Sequence, residues 1–138
     1  MAIALFLVTK PLRAQITKKQ YIERYKNLAL GIECEYGIPV CITLGVAMLE
    51  SRYGNSCAAI SRNNHFGTGD NGVLRSYRYV CESYEDFART LKSERYKELY
   101  TLEKSDYRGW AHGLQRCGYA TDSRYAEKLI KIIEQNLI

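Results

Sequence analysis

Leu49-Glu50-Ser51 closes a stretch in which Ile42, Val46 and Leu49 recur at helix spacing, and Tyr53-Gly54-Asn55-Ser56 follows at once. A carboxyl at that position faces the negative end of a helix dipole and a poor solvent. Both disfavour the ionised form, so the pKa of Glu50 is expected to rise. A carboxyl still protonated near neutral pH is what a glycosidase needs to protonate a leaving oxygen. The ordinary alternative is a solvated glutamate at a helix end. The other reactive residue types exclude more than they offer. Cys34, Cys41, Cys57, Cys81 and Cys117 form no C-x-x-C pair, and His65 and His112 stand alone. That is not metal-ligand spacing, so neither a metal nor another cofactor is expected. With five cysteines at least one thiol stays free. One or two disulfides in an oxidising compartment and buried free thiols are both open. Trp110, the one tryptophan, can stack on a sugar, but its spacing to Leu114 reads as core.

The elements that must hold such a carboxyl fit in one domain, because 138 residues allow a single core of modest depth. Apolar and charged fractions of 46% and 25% are those of an ordinary globular chain. The twelve tyrosines offer flat apolar faces with polar tips, suited to sugar or protein surfaces, or to half-buried helix faces. Ala2 to Val8 is apolar but too short to span a bilayer. With Pro11 to Gln15 it resembles the core and cleavage region of a secretory signal, without the basic start. Residues 1–14 are read as a truncated signal segment, with a non-cleaved N-terminal strand as the alternative. Removal of Lys10 and Arg13 lowers the net charge from +5 to about +3. A mild positive balance fits an anionic partner such as a cell wall, and the lack of a dense Lys/Arg run gives no support to nucleic acid.

From Lys18, Tyr21, Tyr25, Leu28 and Ile32 mark a helix that Gly37-Ile38-Pro39 breaks. The next helix carries Glu50 and is expected to stop at Gly54. A loop is expected from Asn55 to Gly72, with a tight turn at Asp70-Asn71 among Gly67, Gly69 and Gly72, and a strand over Val73 to Tyr79. Ser83 with Asp86 resembles a capping box for a helix reaching about Tyr100. Asp106 is the expected cap of a helix through Trp110 and Leu114 that closes at Gly118. Thr121-Asp122 starts the last helix, with Tyr125, Leu129 and Ile133 inside. The expected class is mainly α (α+β): about five helices and one short β-hairpin in a single domain, 15–138.

Several of these segments, in this order, resemble the bacterial glucosaminidases of glycoside hydrolase family 73. The family includes the flagellar rod-cap muralytic domain and several autolysins. The segments are Leu49 to Ser56, Asn63-Asn64-His65-Phe66-Gly67, Glu82-Ser83-Tyr84 with Asp86, Tyr107 to Leu114, Gly118-Tyr119-Ala120-Thr121-Asp122 and Tyr125-Ala126. The likeness runs from about Tyr21 to the C-terminus and is nearest to short, single-domain members of Bacteroidetes-type bacteria. It implies a lysozyme-like fold and cleavage of the N-acetylglucosaminyl-β-1,4-N-acetylmuramyl linkage of peptidoglycan, with Glu50 as general acid. Tyr119 falls on the family's active-site tyrosine, whose hydroxyl holds the N-acetyl group or steadies the developing cation. Otherwise it is a core tyrosine. Asn63, Asn64, Phe66 and Gly67 fall on the loop that walls the cleft. They either contact substrate directly or, for the asparagines, cap local backbone while Phe66 packs. The implied partner is the glycan strand, met by an exported monomer without a membrane span.

One departure matters. Many members carry a longer hairpin after the Phe-Gly step, with a second carboxylate on it. Here Thr68 to Val73 is too short, and Asp70 on the turn is the carboxylate left nearby. Glu82, Glu85 and Asp86 are expected to cap or solvate the next helix. Either the substrate's own 2-acetamido group is the nucleophile, or Asp70 activates water in an inverting reaction, or activity is lost. Three other readings stay open: a muramidase or lytic transglycosylase on the same polymer, a peptidoglycan-binding module, and an assembly factor that opens the wall locally.

Overall fold

The computed structural model describes residues 15–138; the expected signal segment, 1–14, lies outside them. Helix α1, Lys18–Tyr36, starts at a capping box in which Thr17 Oγ1 accepts from Gln20 N–H and the Gln20 side chain accepts from Thr17 N–H. It ends at Gly37, whose φ of 75° is the left-handed conformation that glycine takes without penalty. Pro39 then leads into α2, Val40–Ser51. Eight of its twelve residues are buried, which makes it the central helix, packed against α1 and two later helices. At Gly45 a side chain would meet Ile133 Cγ1 and Leu129 Cδ1 at 2.9 Å, so glycine there lets the last helix cross closely.

The end of α2 differs from the expected stop at Gly54. Arg52, at φ 52°, already ends the helix, and Tyr53 and Gly54 follow in the left-handed region at 57° and 77°. The Ser51 side chain holds this turn: its hydroxyl donates to Ala47 O (2.6 Å) and accepts from Gly54 N–H (2.8 Å). The Tyr21 ring lies where a Cβ on Gly54 would be, so a glycine is needed there for contact as well as for backbone. The expected loop Asn55–Gly72 contains a short helix, α3, Cys57–Arg62, capped by Ser56. Six residues are too few to show a hydrophobic period, which is why the sequence hides it.

The turn is a two-residue hairpin. Gly69–Asp70 (β1) pairs antiparallel with Val73–Leu74 (β2), Asp70 opposite Val73, around Asn71 and Gly72, both with positive φ. The strand expected over Val73 to Tyr79 is therefore only two residues long. Helix α4, Val80–Leu91, is capped by Glu82, which accepts from Tyr79 N–H at 2.9 Å, and not by Ser83 with Asp86. Ser83 is buried and Asp86 faces Arg75 and Tyr77. α4 does not reach Tyr100; a separate 3-10 helix, Glu94–Thr101, follows it. Helix α5, Tyr107–Arg116, is capped by Asp106 and closed at Gly118, and α6 is Tyr125–Asn136. The described residues thus form six α-helices, one 3-10 helix and one hairpin, mainly α as expected but with more helices. Trp110 is core, 1% exposed and edge-on to Tyr100. All five cysteines are free. No helix among the described residues is long and apolar enough to cross a membrane.

Candidate active site

Glu50 lies one residue before the end of α2, half-buried, at the wall of a cleft of about 370 Å³. Phe66, Gly67, Thr68 and Gly69 form one side, Phe87 and Thr90 of α4 and Tyr96 of the 3-10 helix another, and Tyr119, Ala120 and Thr121 the third. Glu50 is the one carboxyl among the described residues lining it. A larger groove of about 690 Å³ near Ile16, Arg52 and Tyr53 holds no carboxylate or histidine and so offers no acid–base chemistry. Burial pushes the Glu50 carboxyl above the usual carboxylate range, and the nearby Tyr125 hydroxyl acts against this. Desolvation is the cause here; the helix end adds position.

The loop beside Glu50 is built from its asparagines. Asn63 takes the left-handed conformation (φ 51°) that ends α3, and its amide donates to the carbonyls of Tyr77 and Arg78. Asn64 is 1% exposed. Its amide donates to Thr68 O (2.8 Å) and Arg75 O (3.0 Å), and its oxygen accepts from Phe66 N–H (3.3 Å) and Thr68 N–H (3.2 Å). Both side chains are thus committed to backbone. Phe66 is 5% exposed, stacked on Phe87 at 4.3 Å and edge-on to Tyr84, and it reaches the cleft from below. Gly67, at φ 65°, sits so close that an added Cβ would lie 3.7 Å from Glu50 Oε2. Beneath the loop, the Tyr21 hydroxyl meets His65 Nδ1 at 2.7 Å and the Tyr84 hydroxyl at 2.8 Å.

Tyr119 faces the same cleft as Glu50. It is half-buried. Burial, and then the negative charge of Glu50, raise its pKa well above the ordinary phenol value. Two residues that the sequence did not single out position it. Arg95 donates to Cys117 O and Gly118 O, both at 2.6 Å, and Gln115 bridges the far side through Ser123 O and Ala126 N–H. No spacing rule pairs an arginine with carbonyls some twenty residues on; only folding brings them together.

Asp70 is placed apart from this group. It is exposed on β1, does not line the cleft, and both its oxygens are taken by Arg75 (2.8 and 2.9 Å), which holds its carboxyl below the usual range. Arg75 also donates to Asp86 (2.8 Å), tying the hairpin to α4. No cluster of three or more metal-ligating side chains occurs among the described residues.

The family model described as mannosyl-glycoprotein endo-β-N-acetylglucosaminidase matches residues 15–137. The chain belongs to the glucosaminidase family. Among curated proteins it is 31% identical to the exo-glucosaminidase LytG of Bacillus subtilis, over 73% of this chain and 45% of LytG. The chain therefore spans less than half of that relative. Among solved structures, the glycoside hydrolase domain of Salmonella typhimurium FlgJ superposes with a TM-score of 0.72 at 26% identity, covering 87% of this chain and 88% of that domain. The catalytic domain of the Listeria monocytogenes autolysin Auto gives 0.74 at 24%, covering 91% and 88%, a likeness of fold. This glucosaminidase domain carries the family's helical architecture on a hairpin of two residue pairs.

Proposed function

We propose that this domain is a peptidoglycan hydrolase, an endo-β-N-acetylglucosaminidase that cuts the N-acetylglucosaminyl-β-1,4-N-acetylmuramyl linkage with Glu50 as general acid. The supporting observation is the cleft itself: one buried-side carboxyl with a raised pKa, faced by the Tyr119 hydroxyl, in a chain of the glucosaminidase family. The substrate lies outside the cytoplasm, so the working protein is exported to the cell envelope or beyond, and it acts as a monomer. Mass spectrometry of muropeptides released from purified sacculi tests the linkage. Reducing N-acetylglucosamine ends are expected. Reducing N-acetylmuramic acid would mean a muramidase, anhydro-muramic ends a lytic transglycosylase, and no release a binding module; each would overturn the reading.

Glu50 is the one carboxylate among the described residues lining the cleft, which favours the substrate's 2-acetamido oxygen as the nucleophile. It forms a bond to the anomeric carbon while the glycosidic bond breaks and the Glu50 proton passes to the leaving oxygen. Water then opens the cyclic intermediate, and the Glu50 carboxylate takes a proton back. Tyr119 supports the acetamido group during ring closure. Asp70, held by Arg75, is poorly suited to activate water. Asp70→Asn is therefore expected to keep most of its activity and to release a product that is β at first formation, read by NMR of the fresh anomer. A dead variant with a first product that is α would make Asp70 the base of an inverting enzyme.

A further inference from the structure

A second, smaller concavity of about 280 Å³ adjoins Glu50 on the side away from Phe66, lined by Thr121, Asp122, Lys128 and Tyr125 among others. Tyr125 opens α6 and is 3% exposed, with its ring tilted against Tyr119 at 5.7 Å. Its hydroxyl is buried and makes no hydrogen bond of full geometry to any described residue. A phenol left so is costly, and phenylalanine would fill the same space without that cost. The Glu50 carboxyl lines the same concavity and is a polar group within its reach.

We infer that Tyr125 is a positioning residue for Glu50: its hydroxyl donates to the carboxylate that remains after the proton has gone to the leaving oxygen, and so keeps the group aimed into the cleft. This rests on the reading of Glu50 as the acid. The groups facing Glu50 leave few other donors. From α6 and the loop before it come Lys128 and Asp122, which pair with each other. From the 3-10 helix comes Tyr96, and from the loop after α5 comes Tyr119, whose hydroxyl is needed by the substrate in the mechanism above. A donor to the ionised form opposes burial. Glu50 can then serve as acid in the first step and as base in the second without being locked in either state.

Tyr125→Phe is the test, with the glutamates carbon-13-labelled and the Glu50 side-chain signal assigned through its loss in Glu50→Gln. The titration midpoint of Glu50 is expected to rise by about one pH unit, with the melting temperature held. On peptidoglycan, kcat should fall about tenfold with KM little changed, and the alkaline limb of the pH profile should move up with the titration. An unmoved Glu50 midpoint overturns the inference whether or not the protein turns over. A moved midpoint in a wild type that does not cut the wall keeps the Tyr125–Glu50 pairing and removes the glucosaminidase reading instead.

Discussion

Glu50→Gln is expected to lower peptidoglycan hydrolysis by about a thousandfold or more while leaving the fold intact, because the amide is nearly isosteric and cannot give up a proton to the leaving oxygen. The melting curve should carry a second signature. Burial holds the Glu50 carboxyl above its ordinary pKa, so the folded state binds that proton more tightly than the unfolded chain does. The stability tied to this group is fully present at pH below the unfolded value and is lost as pH rises through the folded one. Glutamine never ionises. The variant should therefore melt above wild type on the alkaline side of the Glu50 titration, with the gap closing toward acid. Release of reducing ends and melts across the pH range read both effects. Near-normal turnover would remove Glu50 from the chemistry.

Asn64→Ala is expected to be the most damaging substitution in the cleft loop. The side chain makes four hydrogen bonds to backbone groups of Phe66, Thr68 and Arg75 from a position 1% exposed. Truncation leaves buried carbonyls and N–H groups without partners, a loss of about 2–4 kcal/mol, or roughly 10 °C in melting temperature for a domain of this size. Activity should fall with it, since this loop carries Phe66 and sets Gly67 against Glu50. Asn64→Asp sharpens the test. A carboxylate can still accept from Phe66 and Thr68 but faces the carbonyls of Thr68 and Arg75 as a like partner. Its folded pKa should rise, so that variant should regain stability as pH falls. An Asn64→Ala protein with wild-type melting and no activity would place the side chain on the substrate instead of the loop.

Short helices and long-range clasps were the parts that sequence patterns did not reach. The end of α2 was expected at Gly54, because glycine is the usual left-handed residue; Arg52 and Tyr53 adopt that conformation first, held by Ser51. Likewise Ser83 with Asp86 had the spacing of a capping box, but Glu82 reaches the helix start and Asp86 turns to Arg75.

The sequence by itself determined the mainly helical class, the buried faces of α1, α5 and α6, a tight turn at Asp70-Asn71, one residue before the observed Asn71-Gly72 pair, and the position of Glu50 near the end of the most apolar helix. These follow from local spacing, turn chemistry and burial, which act over a few residues. Tertiary structure alone decided which polar side chains share a cleft with Glu50. It drew Tyr119 and Tyr125 to Glu50, committed Asn63 and Asn64 to backbone, and held Asp70 outside on Arg75. Those outcomes depend on which donors and acceptors meet once residues far apart in the chain pack together, and no local periodicity encodes that meeting.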